Sequence, residues 1–233
     1  MRLTRFIVPV VLAFTLGLAH AADKPPESWD GLVAVKSKRM DMAFVAPGAD
    51  FRPYDKLMID PTQVSFHKDW IKNMNDRRDL SRKVDEGHAN EVIEAARTNF
   101  AEVFSEAFSK GGYTVVTSPG PGVLRVTPGL INLYINAPDV MAAGRSTSYT
   151  ANAGEATMVL EIRDSLTNAL LGRVLDRRET RESAGMQMSN RVTNTADFRL
   201  LFKSWATSCV KGLDTLKSLS PLPESLTPGQ KLD

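Results

Sequence analysis

The chain has 233 residues, 42% of them hydrophobic, with 29 Lys and Arg against 27 Asp and Glu and a single cysteine. That length holds one domain with a proper core or two small ones. The near-balanced charge leaves no global field to draw the chain onto nucleic acid or anionic lipid, and one cysteine excludes an internal disulfide framework.

Residues 1–21 read as a signal peptide. Arg2 and Arg5 give a positive start, Phe6 to Leu18 is an apolar run interrupted by Pro9, and Ala19-His20-Ala21 is a small-x-small cleavage signature. The run is shorter than the about 20 residues of a bilayer-spanning helix, and nothing later is long and apolar enough to span. The expectation is secretion through the inner membrane, cleavage after Ala21 and a periplasmic location. Ala22, not a lipobox cysteine, follows the cleavage site, so no lipid can be attached to a new N-terminal cysteine. Taking Arg2 and Arg5 from the 29 basic residues leaves 27 against 27 acidic ones, a formally neutral mature chain.

Residues 22–35 read as a leader stiffened by Pro25-Pro26. Residues 36–217 read as a single domain. Its first strand candidate is Lys56–Phe66, where Leu57 and Ile59 share one face, Val64 and Phe66 the other, and Asp60-Pro61 marks a bulge or bend. Lys68–Lys83 reads as a charged, solvated crossing around Trp70. Asp85 or Ser81 can cap the next helix, whose stripe of Val92, Ile93, Ala96, Phe100, Val103, Phe104, Ala107 and Phe108 ends at Gly111-Gly112. A strand at Tyr113–Val116, a turn at Pro119-Gly120-Pro121-Gly122 and a long strand over Val123–Asn136 follow, with a change of phase expected at Pro128-Gly129.

Met158, Leu160 and Ile162 alternate with polar neighbours and are followed by a turn centred on Leu166 and a second apolar run from Leu170, which is a hairpin. The preferred register sets Ile162 opposite Leu170, Leu160 opposite Gly172 and Met158 opposite Val174. A last helix is predicted over Thr195–Lys217, with Phe198, Leu201, Phe202, Trp205, Cys209, Leu213 and Leu216 on one stripe. Residues 218–233, with three prolines, read as a flexible tail. Grouped strands flanked by helices predict an α+β fold, a mostly antiparallel sheet with two amphipathic helices packed on one face.

Side chains that could carry chemistry are sparse. His67 and His88 are too far apart in sequence for a metal site and read as surface histidines. Cys209 lies on an apolar stripe and reads as a buried core thiol. Asp164 and Asp176 could form an acid/base pair, but Asp164 opens a turn, where capping backbone amides is the ordinary role. Arg173, Arg177, Arg178 and Arg181, interleaved with Asp176, Glu179 and Glu182, read as a cross-strand charge ladder on a solvated face rather than an anion site. The Met40-x-Met42 and Met186-x-Met188 pairs lack His or Cys neighbours for copper and read as adaptable packing. No catalytic, metal-ligating or cofactor-binding residue is assigned, and no cofactor is expected.

Three segments, PGADFRPYDKLMIDPTQVSFHKDW (47–70), GYTVVTSPGPGVLRV (112–126) and GEATMVLEIRDSLTNALLGRVLDRR (154–178), resemble the bacterial family of unknown function DUF3313. The resemblance implies a secreted or lipid-anchored envelope protein. No activity is assigned to that family, so no site residue is carried over.

The leading expectation is a non-enzymatic periplasmic protein that binds another cell-envelope component through two long loops, Ala137–Gly154 and Ser183–Asn194. Met141, Arg145, Tyr149, Met186, Met188 and Arg191 are the candidate contact residues, and the loops are expected to be neighbours because both leave the open end of the hairpin. The rivals are a carrier with an apolar pocket between helices and sheet, and an enzyme whose site is assembled from distant residues.

Overall fold

A computed structural model describes residues 26–76, 83–137, 148–180 and 187–232. Residues 1–21, which read as a signal peptide, therefore lie outside the described residues. Strands β1 (Ser28–Trp29), β2 (Leu32–Lys36), β3 (Met42–Val45), β4 (Lys56–Ile59) and β5 (Gln63–Phe66) come first, then helices α1 (Trp70–Asn75) and α2 (Glu86–Lys110). Strands β6 (Thr114–Val116), β7 (Val123–Ile135), β8 (Ser148–Thr150), β9 (Gly154–Asp164), β10 (Leu170–Glu179) and β11 (Gln187–Ser189) lead to helix α3 (Arg191–Leu219) and strand β12 (Gln230–Lys231). The fold is α+β, as the grouping of strands predicts.

One mixed, mostly antiparallel sheet runs β1-β2-β3-β10-β9-β7-β4-β6, with β12 beside β2 and β5 beside β7. The centre, β3-β10-β9-β7, is antiparallel. β4 and β5 run parallel to β7, and β12 runs parallel to β2. Inward-facing Leu124, Val126, Leu130, Leu133, Met158 and Leu160 join Phe100, Val103, Phe104 and Phe108 of α2 and Phe198, Phe202 and Trp205 of α3 in one core. Phe100 stacks on Phe104 at 3.9 Å and meets Phe202 edge-on at 5.4 Å. Asp85 caps α2, its Oδ1 accepting from the His88 amide at 2.8 Å, and Gly112 past the helix end has φ +89°.

Several local expectations are corrected. The hairpin pairs Gly172 with Ile162, Val174 with Leu160 and Asp176 with Met158, a slip of two residues from the expected register. Asn168 at φ +59° and a bulge between Leu170 and Gly172 lengthen the turn; the even slip keeps Gly172 and Val174 on their expected face, while the bulge sets Leu170 opposite Arg163 rather than on the buried side. In β7 the phase changes at Asn132, not at Pro128-Gly129. Leu130 is still in phase with Leu124 and Val126, and Asn132 (φ +53°) is the extra residue before Leu133 and Ile135 turn inward. Asn tolerates that left-handed conformation better than most residues.

The leader expected at residues 22–35 is, from Ser28 on, sheet edge. β2 pairs with β3, and Leu32 is buried. The tail expected at 218–233 is held in the same way. Leu222 is buried, its amide donates to the Ala49 carbonyl, the Gly229 amide donates to Ala34, and β12 adds to the sheet. Within the described part of the crossing after Lys68, Trp70 is fully buried, stacked 4.0 Å from Phe66 and donating to the Ile135 carbonyl, and Met74 packs against the core. α3 begins four residues before Thr195, because the Asn190 side chain accepts from the Val192 and Thr193 amides while Thr193 Oγ1 accepts from the Asn190 amide.

Candidate functional site

Two halves of α3 meet the sheet differently. Over Phe198–Ala206 the helix presents two phenylalanines and a tryptophan to the aromatic face of α2. From Ser208 on it presents Ser208, Cys209, Gly212, Leu213, Thr215, Leu216 and Leu219. Below this stretch the floor is Val35 of β2, Ala43 and Val45 of β3, Gly172 and Val174 of β10, Ile162 of β9 and Val126 of β7. Short side chains thus face short side chains. The gap between helix and sheet stays unfilled, as a cavity of about 640 Å³. That volume falls within the roughly 300–1,000 Å³ of small-molecule sites. Gly172 is kept small by its surroundings as well, since a Cβ there would lie 3.2 Å from the Phe44 carbonyl oxygen.

The mouth is framed by the β2–β3 loop, the C-terminal half of α3 and β12. The Ser37 Oγ accepts from the Arg39 and Met40 amides at 3.1 and 3.0 Å and sets the loop's turn. Asp41 clamps it to β10: its amide donates to Asp176 Oδ1 at 2.8 Å, and its Oδ2 accepts from the Arg177 amide at 2.9 Å. The Arg178 guanidinium then bridges three elements, donating to Asp176 Oδ2 (2.5 Å), Ser204 Oγ of α3 (2.6 Å) and the Arg39 carbonyl (2.9 Å). Trp205 Nε1 donates to the same Asp176 oxygen at 2.7 Å. Lys36, Lys38, Arg39 and Lys231 stand on the rim, and among the described residues no carboxylate lines the cavity.

Asp164 and Asp176 form no acid/base pair. Asp164 Oδ1 accepts from the Leu166 and Thr167 amides and the Thr167 hydroxyl, and Oδ2 accepts from the Tyr54 hydroxyl. The Thr167 amide bond, foremost among these, holds its carboxyl below the usual range. Asp176 is buried and occupied by Asp41, Arg178 and Trp205. The described residues hold no cluster of metal-ligating groups. Cys209 is on the cavity wall rather than deep in packed core. It is half-buried as a residue, and burial pushes its thiol up to about 12.

The expected charge ladder exists, but its centre is buried, not solvated. On the sheet face away from the helices, Arg173 pairs with Glu161 (2.6 Å) and Asp30 (2.9 Å), and Trp29 lies over its guanidinium at 4.0 Å. The Arg173 side chain is only 6% exposed. Burial opposes the Glu161 carboxylate, but the bonds from Arg173 and Arg163 outweigh it and hold its pKa below the usual range. Arg177 pairs with Glu155 further along the ladder.

Of the loop residues singled out in the sequence, Met141, Arg145 and Met186 lie outside the described residues. The backbones of Tyr149 and Met188 are paired across β8 and β11, and Arg191 is the first residue of α3. The two loops are therefore neighbours, joined as a small second sheet and anchored where Ser189 Oγ and Asn194 Nδ2 donate to the Ala137 carbonyl. The cavity residues were not picked out from sequence. Their signals are the Lys36-Ser37-Lys38-Arg39 run and Gly212, which interrupts the stripe of α3.

A family model described as "Protein of unknown function (DUF3313)" matches residues 25–209. Among solved structures, the chain is similar to protein XCC0632 from Xanthomonas campestris, with 10% identity, 72% of this chain and 90% of that chain covered and a TM-score of 0.35. It is also similar to the PelC dodecamer from Paraburkholderia phytofirmans, with 11% identity, 78% and 98% coverage and a TM-score of 0.32. No curated protein matches.

Proposed function

We propose, for a chain that belongs to the DUF3313 family of proteins of unknown function, that it is a binding protein for a small apolar molecule, held between α3 and the sheet. The observation that carries this reading is the cavity of about 640 Å³ walled mostly by apolar side chains, with Gly172, Gly212 and Ala43 leaving it open. Each methylene moved from water into such a space contributes about 0.8 kcal/mol. The Cys209 thiol on its wall is kept protonated by burial, and no carboxylate pair lines it among the described residues, so binding rather than turnover is the chemistry on which the reading rests. The signal-peptide pattern of residues 1–21 supports a periplasmic site of action. Intact-mass measurement of a periplasmic extract tests that part, with a chain beginning at Ala22 expected and a membrane-retained chain beginning at Met1 against it.

The cavity is tested by plugging it from opposite walls. A Cβ at Gly212 meets no atom within 4 Å, so Gly212→Phe puts a ring at the wall without a clash at its root. Val174→Phe raises the floor. Titration with decanol, followed by displacement of an environment-sensitive dye, should show binding by the native chain and at least a tenfold loss in both variants. Both should retain cooperative melting. Unchanged decanol binding in two folded variants would sink the reading.

A second reading rests on the pairing of β8 with β11, which joins the two long loops at one end of the sheet. It makes that end a docking surface for another envelope component, with Tyr149, Met188 and Arg191 on it. Replacing residues 138–147 by a Gly-Ser linker should leave melting unchanged and abolish recovery of an envelope partner. Retention of every partner would remove this second reading.

A further inference from the structure

The charges on the rim go beyond an apolar cavity. Elsewhere among the described residues several arginines are matched, and exposed lysines such as Lys68 and Lys211 stand singly. Arg173 and Arg163 share Glu161, Arg177 meets Glu155, Arg125 meets Asp60 and Arg199 meets Glu102. At the cavity mouth the balance fails. Lys36, Lys38 and Arg39 lie within four residues of one another, all are exposed, and none forms an ion pair with a described residue. Lys231 on β12 stands on the same rim, set there by its register with Lys36. Three cations without a described ion pair around an opening, with no carboxylate among the described lining residues, produce a positive potential that the low-dielectric walls focus into the mouth.

The two halves of this site demand different chemistry from one molecule. The interior, floored by Val126, Ile162 and Val174 and roofed by Gly212 and Leu216, has no partner for an ion, and burying an unpaired charge there is costly. A charge is accommodated only at the rim. The loop that carries it is not free to drift, because Asp41 and the Arg178 bridge tie it to β10 and α3. We propose that the ligand is an anionic amphiphile, an alkyl or acyl chain inside the cavity ending in a carboxylate or phosphate held by Lys36, Lys38 and Arg39. This rests on the cavity being a binding site, and adds the class of molecule it takes.

The test is a charge series at one chain length: dodecanoate, dodecyl phosphate, dodecanol and dodecyltrimethylammonium, each titrated calorimetrically below its aggregation threshold. The anions should bind about tenfold more tightly than dodecanol, as several exposed cations acting together allow, and the cation most weakly. High salt should narrow the gap. Dodecanoate and dodecyl phosphate compared with each other show which head group the rim prefers. Lengthening the chain should tighten binding about fourfold per methylene until the cavity is full. In the triple variant Lys36→Gln, Lys38→Gln, Arg39→Gln, whose changes are all on exposed side chains, the anions should fall to the dodecanol level while dodecanol itself is unaffected. Equal binding of all four probes, or an anion preference that survives the triple variant, overturns the head-group assignment and leaves the apolar cavity standing. Binding of none of the four overturns the cavity reading and this inference with it.

Discussion

The two halves of α3 carry the same kind of stripe and do different things with it. Over Phe198–Ala206 the stripe is aromatic and Phe202 meets Phe100 of α2, so that only a cavity of about 130 Å³, bordered by Phe198, Phe202, Trp70 and Leu133, is left between helices and sheet. Over Ser208–Leu219 it thins to Gly212, Ser208 and Thr215 above a floor of valine, alanine and glycine, and the space stays open. Dispersion contacts fall off steeply across a gap, so atoms that face a void forfeit stabilisation that the packed end obtains. One helix thus anchors the fold with its first half and roofs a site with its second.

The sharpest way to break that comparison is to truncate one side chain in each half. Phe202→Ala should lower the unfolding free energy by about 3–5 kcal/mol, because a fully packed ring leaves a cavity the fold cannot close. Leu216→Ala, already beside empty space, should cost about 1–2 kcal/mol. Denaturant midpoints measure both, and equal losses would mean that the second half is packed as tightly as the first.

A smaller effect separates the helix side of the sheet from its opposite face. Glu161→Gln removes a carboxylate from Arg173 and leaves a nearly buried guanidinium with Asp30 alone, at a cost of about 2–3 kcal/mol at neutral pH. Glu161 has a depressed folded pKa, so its contribution is present above the ordinary glutamate range and is lost as pH falls through the folded value. The gap between native chain and variant should therefore be full at pH 7, begin to narrow below the ordinary glutamate range of about 4.3 and close once the pH is below the depressed folded value. A gap that persists in acid would assign the loss to packing rather than charge. Variants inside the cavity should show no such pH dependence.

The smallest expected effect has the opposite sign. Gly212→Ala adds a methyl group where no atom lies within 4 Å, in mid-helix, and should stabilise by about 0.5–1 kcal/mol. The same change at Gly154 would place a Cβ 1.9 Å from the Tyr134 carbonyl oxygen at φ +148°, and should destabilise strongly. Thermal melting distinguishes the two. A loss at Gly212 would show that its wall is not open.

What could be read from the residues was local. Asp85 before an apolar stripe, Gly111-Gly112 after it, and Asp164 opening a turn each act through backbone groups a few residues away, and each is found in its expected role. Alternation also assigned the faces of β9 and β10, though not their register. Parity is blind to a slip of two, and only the left-handed Asn168 and the bulge beside it set the pairing. The edge strands β2 and β12 read as leader and tail because β2 is ordered by β3 across a loop and by β12 from the far end of the chain. The cavity was least legible of all. It is a volume deficit summed over at least five strands and a helix, and no window of sequence contains it. Gly172, Gly212 and the basic run at 36–39 mark its walls only once the sheet order is known.

The central claim, that the second half of α3 roofs a space built for an apolar chain, is tested most directly by a crystal structure of the protein grown with decanol. The account predicts continuous density for the alkyl chain between Gly212 and Leu216 above and Val126, Ile162 and Val174 below, with α3 undisplaced. A cavity holding only ordered water, or one closed by collapse of α3 onto β10, would contradict it.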